Sequence, residues 1–133
     1  QLGGFRAQGK TASAAKRLVE DALTLEEAGC FSVVLESVPA RLAELISKRL
    51  SIPTMGIGAG VGCDGQVLVT HDLLGLFDRF TPKFVKKYAD LHNEMQKAFT
   101  DYIEDVETKR FPAAEHTVEM ADEEWEALQK ELN

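Results

Sequence analysis

Residues 31–39 read Phe-Ser-Val-Val-Leu-Glu-Ser-Val-Pro, and this stretch decides the predicted fold. The apolar run that ends at Leu35 is rich in β-branched side chains, which predicts a strand from Cys30 to Glu36 that is buried on both faces. Strands buried on both faces are typical of parallel sheets with helices outside them. Because chemistry in such folds gathers at the carboxyl ends of the strands, Glu36 is a candidate catalytic carboxylate.

Helical patterns flank this strand on both sides. Thr11 suits an N-cap and Gly29 suits the residue after a helix end, so the apolar spacing between them predicts a helix over residues 12–28. Pro39 suits a helix start, and the helix after it is predicted to bury its apolar face. That face consists of Leu42, Leu45, Ile46 and Leu50. Residues 54–57 predict a second buried strand, which makes a right-handed parallel βαβ unit.

The position of a third strand depends on the length of the next connection. Eight residues separate Ile57 from Gln66, and a parallel crossover needs about a dozen or more. Residues 66–70 are therefore not counted as a strand, despite their β-forming composition. Residues 64–75 are predicted as a short helix or as an extended piece followed by a helical turn. The third strand is predicted at residues 83–88.

Two helices are predicted in the last third of the chain. The first runs from Asp90 to Val106 with a buried apolar stripe, and a short acidic helix spans Asp122 to Leu132. The stripe consists of Leu91, Met95, Phe99, Tyr102, Ile103 and Val106. Three parallel strands leave open sheet edges, so the pattern predicts a piece of a larger α/β assembly.

Composition excludes several classes of function. The chain has 133 residues, with 15 basic and 22 acidic side chains and a formal net charge of −7. This charge argues against nonspecific binding to nucleic acid or to anionic membranes. No apolar run reaches the length of a membrane span, and no secretory signal pattern opens the sequence. Cys30 and Cys63 lack metal-ligand spacing and fit a reducing cytoplasm.

A glycine-rich segment follows the second strand, and it admits two interpretations. Gly58, Ala59 and Gly60 belong to the string GIGAG, which does not fit a nucleotide P-loop. Glycines allow tight turns, and they also allow backbone to approach a ligand. We expect Gly58, Ala59 and Gly60 to line a pocket for substrate or cofactor, with turn geometry as the alternative. The pair His71-Asp72 is expected to be structural rather than catalytic, since no nucleophile accompanies it.

Several strings in this order resemble the ketopantoate hydroxymethyltransferase family. They are LGGFRAQGK, DALTLEEAGCFSVVLESVP, IPTMGIGAGVGCDGQVLVTHDLLG, PKFVKKYADL and FPAAEH. The resemblance covers roughly residues 1–117. It implies an α/β fold, the C-terminal part of a (β/α)8 TIM barrel of the phosphoenolpyruvate-binding superfamily type. Residues 1–110 would supply helix five to helix eight, and residues 111–133 a C-terminal helical extension with the acidic helix.

The resemblance also implies a reaction. Members transfer a hydroxymethyl group from 5,10-methylenetetrahydrofolate to 3-methyl-2-oxobutanoate, which gives 2-dehydropantoate for pantothenate synthesis. They use Mg²⁺ and assemble as homodecamers in the cytoplasm. The family's general base corresponds to Glu36, whereas its metal ligands belong to an N-terminal half that is absent here. No metal ligand is therefore assigned to this chain, and the fragment alone is expected to be inactive.

Two alternatives remain open from the residues themselves. The first is a noncatalytic half-barrel or binding module that acts by association, and the second is a lyase of the same superfamily. Arg79, Lys83, Lys86 and Lys87 form a local basic group. A solvated surface is the ordinary interpretation of such a group, and attraction of the glutamate tail of the folate is the alternative.

Overall fold

The computed structural model describes residues 8–132 and contains a three-stranded parallel sheet. The strands are β1 (Val33–Glu36), β2 (Thr54–Ile57) and β3 (Gly65–Gln66), in the order β1-β2-β3. The helices are α1 (Ala12–Glu27), α2 (Ala40–Arg49), α3 (Thr70–Leu73), α4 (Leu91–Glu107) and α5 (Asp122–Leu132), with a 3₁₀ turn at Ala114–His116. The described residues form two units, 8–91 and 92–132. The predicted boundary between residues 110 and 111, which separates barrel from tail, stays a prediction.

The signals at both ends of α1 act as predicted. The Thr11 hydroxyl accepts the Ala14 N–H at 3.3 Å, which satisfies one of the free donors at the helix start. At the other end Gly29 has φ +90°, and its N–H donates to the Glu26 carbonyl at 2.9 Å. A left-handed glycine of this kind ends many helices, because the conformation costs glycine little. The helix ends one residue before the predicted Ala28.

The predicted parallel βαβ unit is confirmed, and its right-handed crossover stays a prediction. β1 and β2 pair in parallel, with Val33 opposite Thr54 and Glu36 opposite Ile57, and α2 connects them. β1 begins at Val33 rather than at the predicted Cys30.

One face of the sheet carries the apolar core. Val33 and Leu35 of β1 are buried with Val19 and Ala22 of α1. The contributions of α2 and of the segments around it are Val38, Leu42, Ala43, Ile46, Leu50 and Ala59. The prediction for Leu45 is wrong: its side chain is 43% exposed and Ala43 takes the inward position. Ala43 lies one residue from Leu42 and three from Ile46, so the inward stripe of α2 passes through it rather than through Leu45.

The other face of the sheet is open, which corrects the prediction that β1 is buried on both faces. Val34 is 59% exposed and Glu36 is exposed, while Met55 and Ile57 of β2 are half-buried. These four side chains share one face, because paired residues of a parallel sheet point to the same side. Among residues 8–91, the exposure of Val34 and Glu36 leaves this face open.

The third strand lies where the sequence predicted none. Gly65 and Gln66 pair in parallel with Met55 and Gly56, whereas residues 83–88 form no strand. The connection between β2 and β3, residues 58–64, is a loop rich in glycine and contains no helix, so it is shorter than the usual crossover. A Cβ added to Gly60 or Gly62 would lie within 2.6 Å of an α2 side chain, so the loop passes directly against α2. Residues 64–75 contain β3 and then the helical turn α3, which matches the second of the two predicted alternatives. The segment was expected to be the crossover to a later strand, and that expectation is wrong because β3 itself pairs with β2.

Residues 92–132 contain most of α4 and all of α5. Both helices match their predicted ranges to within one residue. The prediction of a buried stripe on α4 is wrong, since no residue of this helix is buried. Five of the stripe's apolar side chains are exposed: Met95, Phe99, Tyr102, Ile103 and Val106. Among residues 8–132, no helix is both long and apolar enough to cross a membrane.

Candidate active site at the carboxyl end of the sheet

Glu36 is the last residue of β1 and lies at the carboxyl end of the parallel sheet. Its side chain is exposed on the open face, beside Ile57 and two residues beyond Val34. No hydrogen bond or ion pair to any described residue occupies its carboxylate. The side chain therefore points away from the helices, and its oxygens are available to a ligand at the strand ends.

Ser37 fixes the backbone directly after Glu36. It has φ +54°, a left-handed conformation that is uncommon for a residue other than glycine. Its N–H donates to the Ile57 carbonyl at 2.9 Å, and its carbonyl accepts the Gln8 N–H at 3.2 Å. Because of this bend, Glu36 keeps its strand orientation while Val38 enters the core.

The glycine segment after β2 is explained by packing. Gly58 and Gly60 have φ of +63° and +79°, and a Cβ on Gly58 would lie 2.7 Å from the ring of Phe84. A Cβ on Gly60 would lie 2.5 Å from the Ala40 Cβ. Ala59 is fully buried in the core. Turn geometry and close packing thus account for the segment, and a role for Gly58, Ala59 and Gly60 in lining a ligand pocket stays a prediction.

A polar network that the sequence analysis did not identify holds β3 to β2. Thr54 is fully buried, and the Asp64 carboxylate accepts its N–H at 2.8 Å and its hydroxyl hydrogen at 2.9 Å. The Ser47 hydroxyl lies 2.6 Å from the Thr54 hydroxyl and 2.9 Å from the Ala43 carbonyl oxygen, so its one hydrogen has two acceptors within reach. The two hydrogen bonds from Thr54 lower the pKa of Asp64, and the bond from the Thr54 backbone has the larger effect. The only signal in the sequence was an acidic residue directly before Gly65.

Comparison with known proteins gives the family. Residues 1–114 match the family model described as ketopantoate hydroxymethyltransferase. The chain belongs to the ketopantoate hydroxymethyltransferase family. The expected resemblance is thereby confirmed.

Curated relatives of the same name support this membership. The chain is 60% identical to 3-methyl-2-oxobutanoate hydroxymethyltransferase of Enterococcus faecalis over 127 residues, which are 96% of this chain and 46% of that protein. It is 57% identical to the protein of that name from Syntrophobacter fumaroxidans over 128 residues, 96% of this chain and 45% of the relative. The chain therefore spans slightly less than half the length of these relatives, and its mixed helix and parallel-sheet fold is consistent with part of a barrel of this family.

The residues of this member of the ketopantoate hydroxymethyltransferase family do not by themselves fit the magnesium ion that the resemblance implies. Among residues 8–132, no three side chains of His, Cys, Asp or Glu come close enough to hold a metal ion. Glu36 alone of the predicted site residues offers a free carboxylate at the strand ends. Magnesium as a cofactor therefore stays a prediction.

Two of the histidines have described surroundings. His71 and Asp72 lie on the short helix α3 and the His71 side chain is exposed. The His116 Nδ1 accepts the Ala113 N–H at 3.2 Å, and its ring lies 5.1 Å from that of Phe111. His116 thus takes part in the local structure of residues 111–116.

Proposed function

We propose that a protein containing this chain transfers a hydroxymethyl group from 5,10-methylenetetrahydrofolate to 3-methyl-2-oxobutanoate and gives 2-dehydropantoate. In this proposal Glu36 is the general base. The observation that carries it is the free carboxylate at the carboxyl end of β1, on the face that the helices leave open. The names of the family and of the relatives support the reaction class.

The chemistry needs a base beside C3 of the keto acid. The hydrogen on that carbon is acidified by the adjacent carbonyl, and a carboxylate within hydrogen-bond reach can remove it. Glu36 accepts this proton and leaves an enolate. Water replaces the two carbon–nitrogen bonds of the folate's methylene group and supplies the hydroxyl oxygen, so that tetrahydrofolate leaves with two N–H groups. The enolate carbon bonds to the released one-carbon unit, and the alkoxide that results takes up a proton. Because no described cation pairs with Glu36, its carboxylate is not held in a competing ion pair.

The remaining parts of the site are proposed to come from residues outside this chain. They include the ligands of Mg²⁺, the groups that hold the keto acid and the other strands of a (β/α)8 barrel. The open face of the sheet and the coverage of under half of each relative support this division. A homodecamer in the cytoplasm belongs to the same proposal.

Replacement of Glu36 tests the proposal. The test uses a protein of the relatives' length that contains these 133 residues, here called the full-length protein. Glu36→Gln keeps the shape of the side chain but removes the base. We expect exchange of the C3 hydrogen of 3-methyl-2-oxobutanoate with deuterated water to fall by about 100-fold or more, the usual contribution of a general base. Proton NMR of the keto acid measures this rate.

Glu44→Gln is the matched control. Glu44 is an exposed carboxylate on α2 that pairs with Lys48 at 2.6 Å, and it lies on the helix layer rather than on the open face. Its replacement removes the same charge and should leave the exchange rate unchanged. If Glu36→Gln exchanges the hydrogen as fast as Glu44→Gln, Glu36 is not the base.

A further inference from the structure

A cationic loop, residues 79–88, stands out against the acidic remainder of the chain. It contains four basic side chains and no acidic one, although the whole chain has a formal net charge of −7. The four are Arg79, Lys83, Lys86 and Lys87, and all are exposed. The loop therefore concentrates positive charge on a chain whose net charge is negative, and it is the part of this chain that would attract an anion.

The loop lies at the same end of the sheet as Glu36. The ring of Phe84 packs on Gly58, where an added Cβ would meet it at 2.7 Å. Gly58 directly follows Ile57, the residue of β2 that pairs with Glu36. The middle of the cationic loop is thus anchored at the carboxyl end of β2.

Backbone hydrogen bonds hold the loop in this place. The Val85 N–H donates to the Pro82 carbonyl at 2.9 Å, which closes a turn within the loop. The Tyr88 N–H donates to the Leu73 carbonyl at 2.8 Å, which ties the end of the loop to α3. The lysines between these bonds project from a fixed backbone.

The cations of the loop differ from three lysines of the helices in their ion pairing. Lysines on α1, α2 and α4 each pair with an acidic residue four positions away, as Lys48 does with Glu44. Within the described part of the chain, none of the four loop cations forms an ion pair. The Lys86 ammonium instead lies 4.8 Å from the centre of the Tyr88 ring. These charges are available to an anionic ligand that reaches the strand ends.

We propose that the cationic loop binds the γ-linked glutamate tail of the tetrahydrofolate co-substrate. This inference rests on the proposed function, which brings that co-substrate to the strand ends. Each further glutamate in the tail adds one carboxylate, so a longer tail carries more negative charge. A flexible tail of this kind needs exposed cations beside the site rather than a closed pocket, and the loop supplies them.

The double variant Lys86→Gln/Lys87→Gln in the full-length protein tests the inference. We expect the KM for 5,10-methylenetetrahydropteroyl pentaglutamate to rise roughly five- to tenfold, the effect of losing two exposed charge pairs. The KM for the monoglutamate should change less than twofold and kcat should not change, because the reacting atoms are not touched. For the parent protein, the difference between the KM values for pentaglutamate and monoglutamate should become smaller as the salt concentration is raised, since salt screens exposed charges.

Lys16→Gln/Arg17→Gln is the matched control, because it removes two exposed positive charges from α1. It should leave both KM values unchanged. An equal rise for pentaglutamate and monoglutamate, or no rise, would overturn the inference while leaving the reaction itself established.

A binding measurement separates this inference from the proposed function. If the full-length protein forms no product with either folate, the proposed function fails. Calorimetry with the free peptide penta-γ-glutamate then decides the loop's role by itself. Binding that the Lys86→Gln/Lys87→Gln variant loses supports an oligocarboxylate site, and absence of binding overturns it.

Discussion

Ser37 combines a costly conformation with a position next to the proposed base. A left-handed conformation costs a non-glycine residue roughly 1–2 kcal/mol, because the Cβ approaches a carbonyl oxygen. The hydrogen bonds to Ile57 and from Gln8 hold the residue there despite this cost. Backbone strain of this kind often occurs at functional sites, where the surroundings fix it.

The effect of a substitution at Ser37 on the free energy of unfolding should therefore depend on how readily the new residue adopts a positive φ, and not on its side-chain chemistry. Ser37→Gly should leave the free energy of unfolding of the full-length protein unchanged or raise it by up to about 1 kcal/mol. Ser37→Val, whose β-branched side chain resists this conformation, should lower it by about 1–2 kcal/mol. Urea denaturation measures both. Equal losses of stability in the glycine and valine variants, which both lack the hydroxyl, would show that the hydroxyl, and not the backbone, matters.

β3 is a strand of two residues, and a side chain helps to hold it to the sheet. It pairs through two residues only, and the Asp64 carboxylate at its start binds the backbone and the hydroxyl of the buried Thr54. The Asp64 side chain thus adds one contact between β2 and the residue before β3, next to the backbone pair of Met55 and Gly65. This explains how so short a strand stays attached without a helical crossover.

The attachment of β3 should weaken in acid. The pKa of Asp64 is lowered in the folded protein, so its charged form stabilises the fold above the ordinary aspartate pKa, and this contribution is lost as the pH falls through the lowered value. Asp64→Asn keeps an oxygen acceptor but cannot titrate, so stability should fall less steeply with acid than in the parent. Urea denaturation at a series of pH values from neutral to strongly acidic measures this slope.

The control is Asp21→Asn, an exposed aspartate on α1. It should keep the parent's acid slope. The pKa of Glu26 is also lowered, chiefly by the Ser51 hydroxyl, so part of the slope remains in both variants. Identical slopes for Asp64→Asn and the parent would contradict the role of the Asp64 carboxylate.

At the scale of the whole molecule, the open face of the sheet exposes an apolar side chain that a complete core would cover. Val34 is 59% exposed there, next to half-buried Met55 and Ile57, while the opposite face has a packed core. Apolar strand residues on a covered parallel sheet are normally buried on both sides. We therefore expect the rest of a full-length protein to cover this face.

A lysine at residue 34 tests that expectation. If further strands close over the open face, Val34→Lys buries an unpaired charge and should lower the free energy of unfolding of the full-length protein by about 3–5 kcal/mol. Val61→Lys is the control, because Val61 is 97% exposed in the loop after β2 and its change should stay within about 0.5 kcal/mol. Equal, small effects of the two substitutions would show that the face stays open to solvent.

The sequence by itself determined those elements that begin and end at a cap residue, a glycine or a proline. The N-cap Thr11, the left-handed Gly29 and the apolar spacing between them define α1 without help from distant residues. The run ending at Leu35 and the spacing to residues 54–57 gave β1, α2 and β2, and placed Glu36 at the end of a strand. The family strings added the reaction that this carboxylate is proposed to serve.

Tertiary structure alone decided the third strand, the open face and the anchoring of the cationic loop. β3 forms because the glycines of residues 58–64 pass against α2 and because Asp64 reaches Thr54, contacts that no periodicity in the sequence records. Residues 83–88 have strand-like composition, but packing of Phe84 on Gly58 holds them as a loop. Local patterns specify which segments are helical or extended, whereas the choice of neighbour and of exposed face depends on contacts between residues far apart in the chain.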